Sequence, residues 1–217
     1  MLPAETAHRT LGVDLASQAA NTAGCIINWG EGTATVETIR LGLDDDAIAE
    51  LTTGCEKVGI DAPFGWPEPF VAFIREHEAG TFNRTPWSAE WRDGLRFRRT
   101  GAVVREALGR WPLSVSSDLI AITAMRCAGL LATLDTRDRS GSGSVVEVYP
   151  AVALHQWGLS PRGYKGTGNV AVLAKLLAKL RKECPRLVLS AEQVSLCAQN
   201  DHAFDAVISA LIARAAM

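Results

Sequence analysis

Acidic side chains recur in this sequence at the edges of apolar runs. Asp14 sits in TLGVDL (residues 10–15), and Asp61 closes VGID ahead of the rigid APFGWP (58–67). Asp201 and Asp205 open NDHAFDAVISALIARAA (200–216), and Glu147 stands at the centre of VVEVY (145–149). Each has a plain explanation when taken alone. Asp61 can bond the amides of its own turn, Asp201 can cap a helix, and Glu147 can lie on a solvated strand face. Asp205, one turn deeper than Asp201, is less well explained by capping. Gathered at one spot, these groups would do something else. Clustered carboxylates repel one another unless cations neutralise them. Hard oxygen ligands with open positions suit Mg²⁺ or Mn²⁺, and two such ions can activate water and stabilise the leaving oxygen in phosphodiester cleavage. The sequence holds no compact metal motif of the HExxH kind. A metal site here must therefore be assembled by the fold.

The elements that would position these residues can be read from periodicity and punctuation. Residues 10–15, 24–29 and 33–39 read as three strands, the last two joined by Gly30-Glu31-Gly32 as a hairpin connection. Asp44 or Asp45 caps an expected helix over 46–53, with Gly54 as its stop. Residues 58–61 form the fourth strand, ending at Asp61 where Pro63, Gly65 and Pro67 break the chain into a turn. Residues 145–149 form the fifth strand, stopped by Pro150. Helices are expected over 69–78, 117–134, 151–157 and 169–183, the last with Val172, Leu173, Leu176, Leu177 and Leu180 as its apolar stripe. The final helix starts near Asn200 and puts Asp201 and Asp205 on one face, four residues apart. Small neighbours, Ala203 and Ala206, let that helix approach a sheet closely.

Composition narrows the class. With 217 residues, 47% hydrophobic and 21% charged, the chain should bury a proper core as one domain with an insertion. A formal net charge of −2 provides no global field for nucleic acid, so any such binding must use a local patch. Residues 83–111 supply one: seven arginines (Arg84, Arg92, Arg96, Arg98, Arg99, Arg105, Arg110) against Glu90, Asp93 and Glu106, interleaved with Trp87, Trp91, Phe97 and Trp111. Guanidinium groups grip phosphate and aromatic faces stack on bases; the alternative is a helical cap with core tryptophans and solvated arginines. Lys165, between glycines in a loop, could reach an anion. Residues 135–144, DTRDRSGSGS, read as a flexible polar loop. The five cysteines form no CxxC pair, which points to reduced, mostly buried thiols and away from zinc. MLPAETAHRT at the N-terminus lacks the layout of a signal peptide, and arginines interrupt the best apolar runs, so the expectation is a cytoplasmic protein without a membrane span.

The order of three strands, a helix, a fourth strand, an insertion, a fifth strand and a final helix matches the ribonuclease H-like architecture. The expected fold is thus α/β, a central five-stranded mixed sheet flanked by helices, with a helical, Arg/Trp-rich insertion over about residues 68–139 of a single domain. In that architecture the first and fourth strands are central neighbours, and their C-terminal ends meet the start of the last helix. Asp14, Asp61 and Asp205 fall at those three places.

The set GVDLA (12–16), GIDAPFGWP (59–67), FRRTG (97–101), VVEVYPA (145–151), YKG (164–166) and DHAFDAVISALIA (201–213) resembles the domain of unknown function family 429, whose members are described as nucleases on the strength of their fold. The motifs span nearly the whole chain. The resemblance implies that Asp14, Asp61, Glu147 and Asp205 line the site with Asp201 beside them. Family members often show Arg-x-Thr-Asp where this chain has Arg98-Arg99-Thr100-Gly101, and Arg98 or Arg99 is still expected to face the site. The resulting expectation is a Mg²⁺- or Mn²⁺-dependent, two-ion nuclease acting on DNA or RNA. Asp14, Asp61 and Asp205 would hold the metals, Glu147 or Asp201 would add a ligand or orient water, and Arg98, Arg99 and Lys165 would contact substrate. Two alternatives are a non-catalytic nucleic-acid or protein-binding module keeping the fold, and an actin-like or sugar-kinase-type ATP-binding protein. The second shares the Gly-x-Asp strand but has no glycine-rich phosphate loop here.

Overall fold

The computed structural model describes residues 8–83 and 87–217; Arg84 and most of the N-terminal MLPAETAHRT stretch lie outside them. The chain divides into two compact units, Met1–Ala62 with Leu130–Met217, and Pro63–Gly129.

The first unit is built on a sheet. Strand β1 (His8–Asp14) pairs antiparallel with β2 (Ala23–Gly30), which continues through Glu31 and Gly32 into β3 (Thr33–Leu41). Gly32, the second loop residue, takes a left-handed φ of +76°, which glycine adopts without steric cost. Helix α1 (Asp45–Thr52) follows, with Asp44 Oδ1 accepting from Ala47 N at 2.9 Å. Then β4 (Lys57–Asp61) enters parallel to β1. Further along the chain, β5 (Val145–Glu147) lies parallel to β4, and β6 (Leu187–Val188) lies parallel to β3. The sheet order is β5-β4-β1-β2-β3-β6.

Among the described residues the sheet has six strands, where five were expected. The sixth is two residues long, too short to show a period of two. It is followed by a second element absent from the sequence reading, α8 (Ala191–Gln199), started by a reciprocal capping box between Ser190 and Gln193. Strand β5 is shorter than expected because Pro150 already opens α6 (Pro150–Gln156), with Tyr149 at its N-cap. Helix α7 (Val170–Glu183) buries Leu173, Leu176, Leu177 and Leu180, whereas Val172 is exposed. Val172 precedes Leu173 by about 100° around the helix and falls off the face that the four leucines share.

The chain-terminal helix α9 (Asp201–Ala215) lies directly on β1 and β4. Two glycines make this possible. A Cβ at Gly12 would stand 2.1 Å from both Ala206 O and Ala210 N, and one at Gly59 would stand 2.6 Å from Ser209 O. The helix answers with Ala203, Ala206, Ala210 and Ala213, all buried. Thr10 Oγ1 donates to Ala210 O at 3.0 Å and accepts from Trp29 Nε1 at 2.9 Å, fixing the helix along the sheet. Leu11, Val13, Val58 and Ile60 alternate with these positions and are buried on the opposite face.

The loop before β5 is tied more closely than its composition suggests. Lys57, buried, donates to the carbonyls of Gly141 (2.5 Å) and Gly143. Asp138 accepts from Ser142 Oγ at 2.6 Å and from Ser140 N and Oγ at 2.9 Å.

The second unit is helical, with α2 (Glu68–Glu78), α3 (Ala89–Arg96), α4 (Arg99–Leu108) and most of α5 (Ile120–Thr133). Phe73 packs edge-on to Phe82 and Trp91, at 5.1 and 5.8 Å between ring centroids. Phe97 stacks on Trp111 at 4.1 Å, with Arg96 and Arg105 each 4.7 Å over the outer faces of that pair. The segment's aromatic residues thus pack on other rings, and Trp87, although 73% exposed, meets Trp91 edge-on at 5.2 Å.

The five cysteines form no disulfide, and Cys25, Cys127 and Cys197 are buried. Among the described residues no helix is long and apolar enough to cross a membrane.

Candidate functional site

Strands β1 and β4 run parallel with Gly12 opposite Gly59 and Asp14 opposite Asp61. Residues two apart on a strand share a face, so the glycines that admit α9 and the aspartates at the strand ends lie on one side of the sheet. Asn200 accepts from Ala203 N at 2.9 Å and caps α9, which leaves Asp201 without the capping role the sequence suggested. One turn further on, Asp205 reaches the same spot. Oxygens of Asp14, Asp61 and Asp205 all lie within 4.8 Å of one another.

Two of these carboxylates are buried and Asp61 is half-buried. Asp205 is fully buried, and Asp14 is 7% exposed. Tyr164 Oη donates to Asp205 Oδ1 at 2.8 Å, and Lys165 Nζ donates to Asp205 Oδ2. Burial pushes the Asp205 carboxyl up to about 6, with the Lys165 ammonium opposing the rise and Asp14 adding to it. Asp61 is raised well above the usual carboxylate range by burial and by the Asp14 charge beside it, with Lys165 pulling the other way and Asp205 and Glu147 adding smaller repulsions. Burial also lifts the Tyr164 phenol, helped by Asp205, so it remains a donor. For Lys165 burial works downward, but Asp205, Asp14 and Asp61 outweigh it and hold the ammonium above the ordinary lysine range.

His202 completes the group. Its Nδ1 lies 2.6 Å from Asp14 Oδ2. That hydrogen bond raises the imidazole pKa against the opposing effect of partial burial, and the Asp14 and Asp201 charges add to the rise. No sequence motif singles out His202. The available signal was its spacing, three residues before Asp205 on the same helix, which puts both on one face.

Other residues singled out from the sequence fall in different places. Glu147 stands in register with Ile60 rather than Asp61. It is close enough to raise the Asp61 pKa, yet it is not one of the three acids whose oxygens converge. Asp201 Oδ2 accepts from Gly166 N at 3.0 Å, so it holds the Lys165 loop rather than joining the cluster. Lys165 is drawn into the carboxylates themselves. Arg98 is the N-cap of α4 and Arg99 its first residue, both in the Pro63–Gly129 unit. Gly101, where relatives of the resembled family often carry aspartate, is buried, and a Cβ there would lie 3.3 Å from Pro112 Cγ. A side chain there would need that ring to give by a few tenths of an ångström.

The donor set fits a hard divalent cation. On one octahedral Mg²⁺, with metal–oxygen distances of about 2.1 Å, neighbouring oxygens stand about 3.0 Å apart and opposite ones about 4.2 Å, so three carboxylate oxygens within 4.8 Å of one another would have to close in to share one ion. Two of the three acids resist ionisation where they stand, the condition a cation would relieve.

The family described as "Protein of unknown function (DUF429)" matches residues 12–217. The chain belongs to the DUF429 family. The match takes in Asp14, Asp61 and Asp205, and it agrees with the resemblance read from the motifs. Comparison of this DUF429 chain with curated proteins and with solved structures gave no match.

Proposed function

We propose that this protein is a Mg²⁺- or Mn²⁺-dependent phosphodiesterase that cleaves nucleic acid, built on a ribonuclease H-like sheet. The observation that carries the reading is the convergence of Asp14 and Asp61, side by side on parallel central strands, with Asp205 from α9. An antiparallel β2 beside a central β1, with β4 and β5 parallel on its other side, is the strand arrangement such a fold requires.

Asp14, Asp61 and Asp205 would hold the cations. When bound, Mg²⁺ or Mn²⁺ supplies Lewis-acid polarisation of a phosphoryl oxygen and makes a water acidic enough to attack. The chain's own groups orient and exclude. His202 fixes the rotamer of Asp14, and Tyr164 does the same for Asp205; such supporting bonds set the direction of ligand lone pairs. Burial of Asp205 and Asp14 keeps bulk water away and strengthens the field on the reacting phosphate. Glu147, the neighbouring acid on β5, would orient water, and Asp201 would fix the Lys165 loop. Arg98, Arg99 and the exposed Trp87 would meet the phosphate backbone and bases, so binding should weaken steeply with salt.

The test is incubation of the purified protein with Mn²⁺ and end-labelled single- and double-stranded DNA and RNA. Cleavage is expected to stop on adding EDTA and to be lost in Asp14→Asn. Absence of any Asp14-dependent cleavage refutes the nuclease reading. Nucleic-acid binding that survives Asp14→Asn without turnover would instead favour the non-catalytic module.

A further inference from the structure

Lys165 stands apart from the other groups around the carboxylates because its backbone is held while its head group has somewhere to go. On the backbone side, Gly166 N donates to Asp201 at 3.0 Å and Asn169 Nδ2 donates to Lys165 O at 2.7 Å. On the side-chain side, the lysine is 53% exposed although its partner Asp205 is fully buried. Tyr164 offers the contrast. It is 2% exposed and packed edge-on against Phe204 at 5.7 Å, so its bond to Asp205 Oδ1 has no route of escape. The two donors therefore hold the two oxygens of one carboxylate with different permanence. The ammonium also lies in the field of Asp14 and Asp61, the position where positive charge is most needed.

We propose that Lys165 is an exchangeable internal counter-ion: its ammonium neutralises the Asp14/Asp61/Asp205 cluster in the metal-free protein and swings into solvent when a divalent cation takes its place. The inference rests on the reading of those three acids as metal ligands. A doubly charged ion among three carboxylates interacts more strongly with each than a single ammonium does, and the tethered backbone confines the exchange to lysine side-chain torsions. The cluster is thereby kept from flying apart without metal, at the cost of weaker apparent metal affinity. The displaced ammonium remains at the rim of the site, where an incoming phosphate would meet it.

Two measurements on the full chain test this. The first is calorimetric titration with Mn²⁺ alone. Lys165→Met should bind Mn²⁺ more tightly than the natural protein, by about tenfold, or about 1.4 kcal/mol, while Lys165→Arg, which keeps the charge, should stay close to it. The second is the rate of reductive methylation at Lys165, read by peptide mass spectrometry with and without saturating Mg²⁺. The rate should rise several-fold with the ion. Equal or weaker Mn²⁺ binding by Lys165→Met, or an unchanged methylation rate in protein that calorimetry shows to be loaded, overturns the counter-ion role while leaving the metal site standing. No heat of binding in any of the three proteins overturns the metal reading itself.

Discussion

Replacing Asp205 by asparagine should stabilise the metal-free protein at neutral pH, and the effect should vanish in acid. Asp205 is fully buried, and its pKa is raised from 3.8 to about 6, by burial before any other cause. An acid whose folded pKa is raised favours the fold while protonated. That contribution is complete below pH 3.8 and is lost as the pH rises through about 6. The shift of about two units corresponds to roughly 3 kcal/mol at about 1.36 kcal/mol per unit. Asparagine keeps the acceptor for Tyr164 Oη and carries no charge at any pH. It removes the partner of Lys165, but that side chain is 53% exposed and its ammonium can turn to water, so the loss is small. Thermal melts of both proteins in EDTA should therefore coincide near pH 4 and separate above pH 6, with Asp205→Asn the higher. At about 2–4 °C per kcal/mol for a chain of this size, the gap at pH 7.5 should be several degrees. Asp61 shifts in the same direction and is present in both proteins, so it does not cancel the difference. An Asp205→Asn protein that melts at or below the natural one at pH 7.5 would refute the idea that the cluster is electrostatically strained.

Gly12→Ala should prevent α9 from seating, because the new Cβ would overlap Ala206 O and Ala210 N at 2.1 Å. The expected loss is about 3 kcal/mol or more, read as a much lower urea midpoint or as insoluble expression. Tyr164→Phe should cost about 1–3 kcal/mol at pH 7.5 by leaving Asp205 Oδ1 without its donor. The cost should be smaller at pH 4, where Asp205 is protonated, and urea titrations at the two pH values give the difference.

The part of this protein that was legible in the sequence is the part written in residue type at strand and helix ends. Asp14 and Asp61 each follow a Gly-x step at the end of an apolar run, and the parallel register that sets them side by side follows from placing the first and fourth strands next to each other. Features set by two or three local hydrogen bonds were not legible. Strand β6 exists because Ala34 and Thr35 of β3 have an edge to offer, not because Leu187–Val188 announces a strand. The expected stripe on α7 included Val172 because composition alone does not say where an apolar face stops. The polar loop before β5 read as flexible because nothing in DTRDRSGSGS reveals that a buried Lys57 on a distant strand would bind its carbonyls.

His202 and Lys165 show the same division inside the site. The acids are identified by where their elements end, whereas the groups that compensate them depend on how closely α9 approaches the sheet. That approach is encoded in glycines and alanines, which look like weak signals because they carry no chemistry. Gly12 and Gly59 remove two side chains, and the alanines of α9 let its backbone fill the space. Only then does Asp205 arrive fully buried beside two other acids, and only then does a lysine in a glycine-flanked loop become its ion-pair partner. The strain of the cluster and the means of relieving it thus share one origin. A wider separation between α9 and the sheet would relax the acids, leave Lys165 solvated, and remove the reason for a cation to bind at all.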